Sequence, residues 1–543
     1  MAETGTASRR FGCPGCGGGL QYDIASRKMK CDRCGSLTAL EQLSWNPEED
    51  MLEVTEFHCP QCGAAVYSTD TEVTSFCSFC GSDVVLTGKL ARTKRPAKIV
   101  PFSVTREACE KAYRNHLKTC LLAPGDMKKA ETVSHFRPVY VPFWSYQVEA
   151  EGPARLEGKK SYTRGNYRYD ETYDLTMDAE IRQQGILYDA STAFEDETAA
   201  MLKHTDREAE PFHPAYLSGF YAQGADVPAK TYYPEAAASA VKIFMEQVRT
   251  ENEMDSVEMK GDISANFGLP NARYREELVM MPVWLLASRQ GERVVYTAVN
   301  GQSGEVVCDV PVSNGRVAAA VLGLAVLIFF LLSGFLTLKP EMLMALCAVI
   351  SLVTQYLFSG AQKRLFNRRT RAFEPDFEKA ERDYAGPAQA RLKKRKDRIV
   401  SGGSLSSGVL DKIRGIGITT IIVAACFVFG VFSDMLSDMG TTASRRTLAL
   451  AAVLVTLIIM IIHTVRRFGV EAEGPRWPRL LAVLACGAGL AGLVLGQHED
   501  LVYYACAAAM LAASAVELVI INRAHNEYAS RPVPFFEREE EAS

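Results

Sequence analysis

Eight of the 15 cysteines have the spacing of metal ligands. They form four CxxC pairs, and the two pairs of each set are separated by 14 residues. The second set repeats the first after 46 residues: Cys13, Cys16, Cys31 and Cys34, then Cys59, Cys62, Cys77 and Cys80. Each pair is followed by a glycine, which relieves the backbone of a tight turn beneath a metal. Because four thiolates close a tetrahedral site, the pattern predicts two structural zinc ions, one in each set.

Three other uses of cysteine are weaker alternatives. Disulfides form in oxidising compartments, whereas residues 1–19 lack the apolar segment of a secretory signal, so we expect the head in the cytosol. A redox site needs one CxxC between a strand and a helix, and iron–sulfur clusters usually have other spacings. Ions that share pairs between the two sets are disfavoured by the 14-residue gaps.

The chain divides into two parts of different composition. Residues 1–316 have an excess of nine acidic side chains, and residues 317–543 have an excess of five basic ones. Hydrophobic residues make up 48% of the 543 residues, and those of the second part are concentrated in runs between polar loops. This composition excludes full-length disorder, a small disulfide-stabilised secreted protein and a wholly soluble enzyme. It predicts a membrane protein with a large head.

The second part contains six apolar segments of roughly 17–22 residues, close to the ~20 that span a bilayer core. They are 317–338, 342–359, 415–432, 447–464, 479–497 and 501–521. The loop 361–414 between them has 15 basic and 7 acidic residues. By the positive-inside rule this loop is cytosolic, so we predict a multi-pass protein of the cell membrane with both termini in the cytosol.

The region between the cysteines and the apolar segments has the pattern of a β-rich domain. Helices are predicted over 104–122 and 235–248, and strands within 135–152, 163–179 and 277–311. Aromatic residues of this region are expected to pack in the core rather than to line a ligand cage: Trp144, Tyr146, Tyr221, Trp284 and Tyr296. We predict no catalytic residue here.

The predicted fold is multidomain, with two tandem zinc ribbons of four cysteines each, a mixed α+β cytosolic domain rich in strands, and an all-α polytopic membrane domain of six helices. The ribbons occupy 1–48 and 49–98, and the β-rich domain occupies 99–314. The remaining parts are a transmembrane hairpin (315–360), a basic cytosolic loop (361–414), four transmembrane helices (415–522) and a cytosolic tail (523–543).

Several sequence blocks follow the CPxCG ribbons in a characteristic order. They are IVPFSVTREACEKAYRNHL (99–117), RPVYVPFWSY (137–146), LSGFYAQGADV (217–227) and MPVWLLA with VYTAVNGQSGEVVCDVP (281–311). Together, residues of about 10–340 resemble a bacterial family of membrane proteins with zinc ribbons of the transcription-factor-IIB type. Members of that family often accompany flotillin-like (SPFH-domain) and phage-shock proteins. The resemblance implies an envelope-associated, non-enzymatic component that holds or recruits such partners.

Three functions are therefore considered. The leading hypothesis is a cytosol-facing adaptor or scaffold that binds a flotillin-like or phage-shock-like protein and contacts the lipid bilayer. The first alternative is a membrane-tethered nucleic-acid-binding protein, which the ribbon type favours. Charge opposes it, because residues 1–98 contain 11 basic and 12 acidic side chains and lack a basic excess. The second alternative is a transporter with a regulatory zinc head.

Overall fold

The computed structural model describes residues 11–43, 45, 51–68, 74–77, 79–85, 87–164, 167–194, 196–260, 267–290, 293–333, 340–372, 450–451, 453–461, 477–495 and 500–532. The N-terminal strands are β1 (Leu20–Asp23), β2 (Lys28–Cys31), β3 (Leu37–Thr38), β4 (Met51–His58), β5 (Ala65–Ser68), β6 (Thr74–Phe76), β7 (Asp83–Val85) and β8 (Thr87–Lys94). The first three form a sheet of their own, and β6 pairs with β7.

A larger sheet forms the centre of the β-rich region. Its strands include β9 (Lys98–Ile99), β10 (Arg137–Arg164), β11 (Tyr167–Asp189), β12 (Glu210–Pro211), β13 (Tyr221–Ala222), β14 (Ser256–Met259), β15 (Arg273–Gln290), β16 (Arg293–Asn300), β17 (Val306–Cys308) and β18 (Arg531–Pro532). Within the described part of the chain, they join β4, β5 and β8 in one sheet of 13 strands. The longest pairings are antiparallel, β10 with β11 and β10 with β15. The predicted strands of this region are confirmed.

Alternate side chains of a strand point to opposite sides of the sheet. In the first half of β10 both sides are buried, because a different cluster of side chains covers each one. On one face Val139, Val141 and Phe143 pack in a cluster of aliphatic residues. On the other face Tyr140 packs with Phe102 and Trp284. The prediction that aromatic residues form core is confirmed for Trp144, Tyr146 and Trp284, which are buried, whereas Tyr221 and Tyr296 are half-buried.

Helices cover this sheet: α1 (Arg106–Thr119), α2 (Ala130–Val133), α3 (Asp196–Met201) and α4 (Tyr233–Glu251). α1 and α4 lie where helices were predicted, whereas α2 and α3 were not predicted. Thr105 caps α1 by accepting a hydrogen bond from the backbone N–H of Ala108, and the helix buries residues spaced by four: Cys109, Tyr113 and Leu117. The alanine-rich face of α4 packs on the side of the sheet that bears Leu156 and Ile181.

The C-terminal part contributes several long helices. They are α5 (Asn314–Ser333), α6 (Pro340–Ala372), α7 (Trp477–Val494) and α8 (Asp500–Tyr528). α6, α7 and α8 share a core of small and apolar side chains. The end of α8 is fixed to the sheet, because Arg293 donates to the Glu527 carbonyl at 2.9 Å and β18 pairs with β16.

The prediction of an all-α membrane domain of six helices is wrong. Within the described residues, two helices are long and apolar enough to cross a membrane, namely α7 and α8. The apolar part of α6, Leu343–Phe358, has 16 residues. At ~1.5 Å per residue such a segment is shorter than the ~30 Å hydrocarbon core. The segment 415–432 lies outside the described residues. The predicted multi-pass localisation, with both termini in the cytosol, is corrected too, because its inside–outside count depends on six spans.

Candidate metal centres

The structure brings each predicted set of four cysteines together. Ribbon 1 (residues 11–43) contains Cys13, Cys16, Cys31 and Cys34, and ribbon 2 (residues 51–94) contains Cys59, Cys62, Cys77 and Cys80. In each set, all four sulfur atoms lie within 4.8 Å of one another. No pair is shared between the two ribbons, so the interleaved arrangement does not occur. Elsewhere in the described part of the chain, no further group of His, Cys, Asp or Glu side chains has ligand geometry.

The sulfur separations suit zinc. A tetrahedral ion with Zn–S bonds of about 2.3 Å places its sulfur ligands roughly 3.8 Å apart. The Sγ–Sγ distances are 3.8 Å for Cys13–Cys34 and 3.5 Å for Cys16–Cys31. In ribbon 2 they are 3.8 Å for both Cys59–Cys80 and Cys62–Cys77. These distances are far longer than the ~2.05 Å of a disulfide, and all eight thiols are free. The two sets therefore fit two zinc ions.

Glycine shapes the turn below each pair of ligands, as the sequence predicted. The glycines after the four CxxC pairs have φ between 68° and 78°, in the left-handed region. In ribbon 1 the N–H of Gly17 donates to the carbonyl of Cys13 at 2.9 Å, and the N–H of Gly81 donates to that of Cys77 at 3.0 Å in ribbon 2. Because a side chain is strained at such φ values, glycine is the favoured residue at each turn.

A repeated serine supports the thiolates, and the cysteine spacing alone did not reveal it. In ribbon 1 the Ser36 hydroxyl lies 3.2 Å from the sulfur of Cys13 and 3.1 Å from that of Cys34. This hydroxyl is the largest cause, ahead of the backbone N–H groups of Gly15 and Cys16, that lowers the pKa of Cys13 to about 6, and it also lowers the pKa of Cys34. Ser82 has the same place in ribbon 2, 3.3 Å from the sulfur of Cys80. The 46-residue repeat, which relates Ser36 to Ser82, was the signal that could have identified both.

Ribbon 1 contacts the β-rich region through its strands. Tyr22 of β1 packs against Tyr216 and Phe220, with ring centroids 5.0 Å and 6.2 Å away. Its backbone N–H donates to the carbonyl of Ser218 at 3.2 Å. The metal end is more open, because Cys34 is exposed and Cys16 is partly exposed. The metal end of ribbon 1 is thus accessible to solvent.

Ribbon 2 contacts the same region through its metal end as well as through the pairing of β5 with β13. All four of its cysteines are buried. The Tyr296 hydroxyl of β16 donates to the Phe79 carbonyl, which lies between the third and fourth ligands. Arg289 of β15 donates to the Ser82 hydroxyl at 3.0 Å. Burial raises the pKa of Tyr296, with a smaller contribution from the nearby thiols, so the phenol remains a donor. No sequence motif pointed to Arg289 or Tyr296.

The other cysteines do not join either site. Cys109, Cys120 and Cys308 belong to the β-rich region, and Cys347, Cys486 and Cys506 pack among the C-terminal helices. Burial raises the pKa of Cys109 and raises that of Cys308 to about 12, which keeps these thiols protonated and unreactive. Cys426 lies outside the described residues.

Comparison with known proteins gives one informative similarity. The chain is 28% identical over 327 residues to the uncharacterized protein YdjG of Bacillus subtilis (strain 168). The matched region corresponds to 58% of this chain and 94% of that protein. No protein-family model matches the chain, and no solved structure matches it. The similarity therefore supplies no activity.

Proposed function

We propose that this protein is a non-enzymatic adaptor whose zinc ribbons and β-sheet form a head that binds another protein. One observation carries the proposal: the four thiols of each set surround the metal position completely. A zinc ion with four cysteine ligands has no open position for a substrate or for an activated water. Its contribution is to folding, because it fixes chain segments that have little core of their own.

The position of the two ribbons supports the same role. Ribbon 1 packs on the aromatic segment around Tyr216 and Phe220, and ribbon 2 is joined to the sheet at β5, where Tyr67 pairs with Ala222. In the described part of the chain, each ribbon contacts the β-rich region directly. The zinc ions thereby stabilise two modules that form one continuous surface with the sheet. Such a surface is suited to binding another protein. In this proposal α7 and α8 are the parts that contact lipid.

Charge favours a protein partner over nucleic acid. Residues 1–316 have nine more acidic than basic side chains, and such a head repels phosphate. The sequence blocks described above resemble proteins that accompany SPFH-domain and phage-shock proteins. A protein of one of these two classes is therefore the proposed partner.

A direct binding experiment tests the proposal. The solubilised, zinc-loaded full-length chain is immobilised and exposed, after nuclease treatment, to a purified SPFH-domain protein and a purified phage-shock protein. We expect one of them to bind and the binding to fall at least tenfold in Cys59→Ser. Cys120→Ser, which changes a cysteine outside both sites, is the matched control and should bind normally.

Two outcomes contradict the proposal. One is that neither protein binds the intact chain. The other is that the chain binds DNA or RNA with an affinity that falls steeply as salt is raised, which is the signature of phosphate contacts.

A further inference from the structure

The β-rich region meets the C-terminal helices where three segments of the chain are hydrogen-bonded together. The Asn526 side chain, near the end of α8, accepts from the Val312 N–H at 2.7 Å and donates to the Val312 carbonyl at 2.9 Å. The N–H of Ser313, just before α5, donates to the Leu122 carbonyl at 2.9 Å. We call residues 120–125, 310–316 and 525–528 the junction.

Two neighbouring leucines of the junction are exposed, Leu121 by 79% and Leu122 by 38%. They lie in the short loop after α1. Arg316 holds this loop by donating to the Ala123 carbonyl at 2.6 Å, and the apolar residues of α5 begin directly afterwards, at Val317. An exposed leucine is common on protein surfaces, so the position of this pair decides what it contacts.

α8 gives the level of the junction relative to a bilayer, because the proposed function places α7 and α8 in contact with lipid. The apolar segment of α8, residues 501–521, has 21 residues. At ~1.5 Å per residue it matches the ~30 Å hydrocarbon core. Asn526 follows Ile521 by five residues, or roughly 7 Å along the helix. The headgroup layer is about 5–8 Å thick on each side of the core, so the junction lies at the outer boundary of that layer.

An exposed tryptophan at the start of α7 supports the same level. Arg479 of α7 lies over the Phe358 ring of α6 at 4.4 Å, and Thr354, one turn earlier in α6, donates to the Ser514 hydroxyl of α8 at 3.2 Å. The start of α7 therefore lies beside the last turns of the apolar segment of α8, at the same end as the junction. Trp477 is 53% exposed there, and exposed tryptophans are enriched where a bilayer meets water.

We propose that Leu121 and Leu122 insert into the headgroup layer of the bilayer, so that the head contacts the membrane directly through this loop. A lipid surface fits the loop because the loop is bonded to the ends of the apolar helices, at the level where their polar residues begin. Residues 118–131 contain three basic and two acidic side chains, so the contact depends on the leucines and not on anionic lipids. This inference rests on the lipid contact of α7 and α8 in the proposed function and names a further surface used.

The test measures quenching of tryptophan fluorescence by brominated lipids. The zinc-loaded full-length chain is reconstituted into phosphatidylcholine vesicles whose bromines lie either near the headgroup or near the ends of the acyl chains. In a Trp477→Phe background, Leu121→Trp should show at least twice the quenching of that background, and more with the shallow bromines. The matched control, Tyr167→Trp in the same background, changes a residue that is 73% exposed at the end of the β10–β11 hairpin. The junction lies beyond the other end of β10, so this variant should stay at the background level.

Equal quenching of Leu121→Trp and Tyr167→Trp overturns the inference, because the loop would then be no closer to lipid than the far end of the hairpin. The unchanged chain separates this failure from failure of the proposed lipid contact, since its own Trp477 reports on the start of α7. Quenching of Trp477 without quenching of Leu121→Trp keeps the lipid contact of α7 and rejects insertion of the loop. Absence of quenching at both positions rejects the lipid contact as well.

Discussion

Ribbon 1 and ribbon 2 have the same cysteine spacing, but their metal ends differ in exposure and in what they contact. Ribbon 1 contacts the rest of the protein through the side chains of its strands, and Cys34 remains exposed. Ribbon 2 turns its metal end inward, so that Tyr296 binds the turn between its third and fourth ligands and Arg289 binds Ser82, two residues after the fourth ligand. The same local metal site is therefore exposed to solvent in ribbon 1 and buried against the sheet in ribbon 2.

The difference shows which interactions decide each property. Ligand geometry is local, because it is determined by two CxxC turns, their glycines and a serine two residues after the last cysteine. Orientation is not local, because the residues that hold ribbon 2 lie more than 200 positions further along the chain. Two motifs with the same spacing should therefore respond differently to similar substitutions, and each prediction below compares a residue at ribbon 1 with a residue at ribbon 2.

The largest difference is expected between Cys62→Ser and Cys34→Ser. Each variant should lose one zinc ligand, but water can take the fourth position only at the exposed Cys34 site. The buried Cys62 has no such replacement. We expect Cys62→Ser to reduce the free energy of unfolding by roughly 5 kcal/mol or more, and Cys34→Ser by about half of that. Zinc content by atomic emission and denaturant unfolding measure both effects.

Cys120→Ser serves as the control for loss of a thiol outside the sites, and it should retain two zinc ions per chain. Equal destabilisation by the two ligand variants would show that the orientation of the metal end has no energetic consequence. The inward orientation of the ribbon 2 metal end would then leave the stability of the protein unchanged.

The parts that could be predicted from the sequence are those set by local patterns. The cysteine sets follow from spacing, α1 follows from its Thr105 cap and four-residue periodicity, and the strands follow from alternation. The number of membrane spans could not be predicted from apolar runs alone. The run Leu343–Phe358, for example, has 16 residues, packs among other helices and is too short to cross a membrane.

The long hairpin and the buried end of ribbon 2 show why other features were missed. The sequence indicated separate strands within 135–152 and 163–179, but strand pairing beyond the core leaves no apolar signal that marks its length. The docking of ribbon 2 depends on one tyrosine and one arginine in β15 and β16, which in sequence look like ordinary strand residues. Contacts between distant segments are not encoded in any short window.

A smaller difference is expected between Gly81→Ala and Gly17→Ala. Both glycines have a left-handed backbone conformation, with φ of 68° at Gly81 and 69° at Gly17. Each alanine variant therefore has the same conformational cost of about 1 kcal/mol. A Cβ at Gly17 meets no atom within 4 Å, whereas a Cβ at Gly81 lies 3.0 Å from the Ala287 carbonyl oxygen. Overpacking adds roughly 1–3 kcal/mol to Gly81→Ala.

Denaturant unfolding of both variants at full zinc occupancy measures this difference. Gly35→Ala is a second control, because its Cβ also meets open space at a φ of 71°. If Gly81→Ala lowered the free energy of unfolding no more than Gly17→Ala, the metal end of ribbon 2 would not be in close contact with β15 in solution.

The smallest difference is expected between Tyr296→Phe and Tyr22→Phe, which each remove one hydroxyl from a tyrosine beside a ribbon. The Tyr296 hydroxyl donates a hydrogen bond to the Phe79 carbonyl, so removal of that hydroxyl should destabilise the protein by about 1–2 kcal/mol. The Tyr22 hydroxyl has no partner in the described part of the chain, and its removal should change stability by less than about 0.5 kcal/mol. Hydrogen exchange locates the effect, because Tyr296→Phe should speed exchange only around Phe79–Gly81. Faster exchange in both ribbons would instead mean that they are stabilised as one unit, and that the inward metal end of ribbon 2 is not held separately by β16.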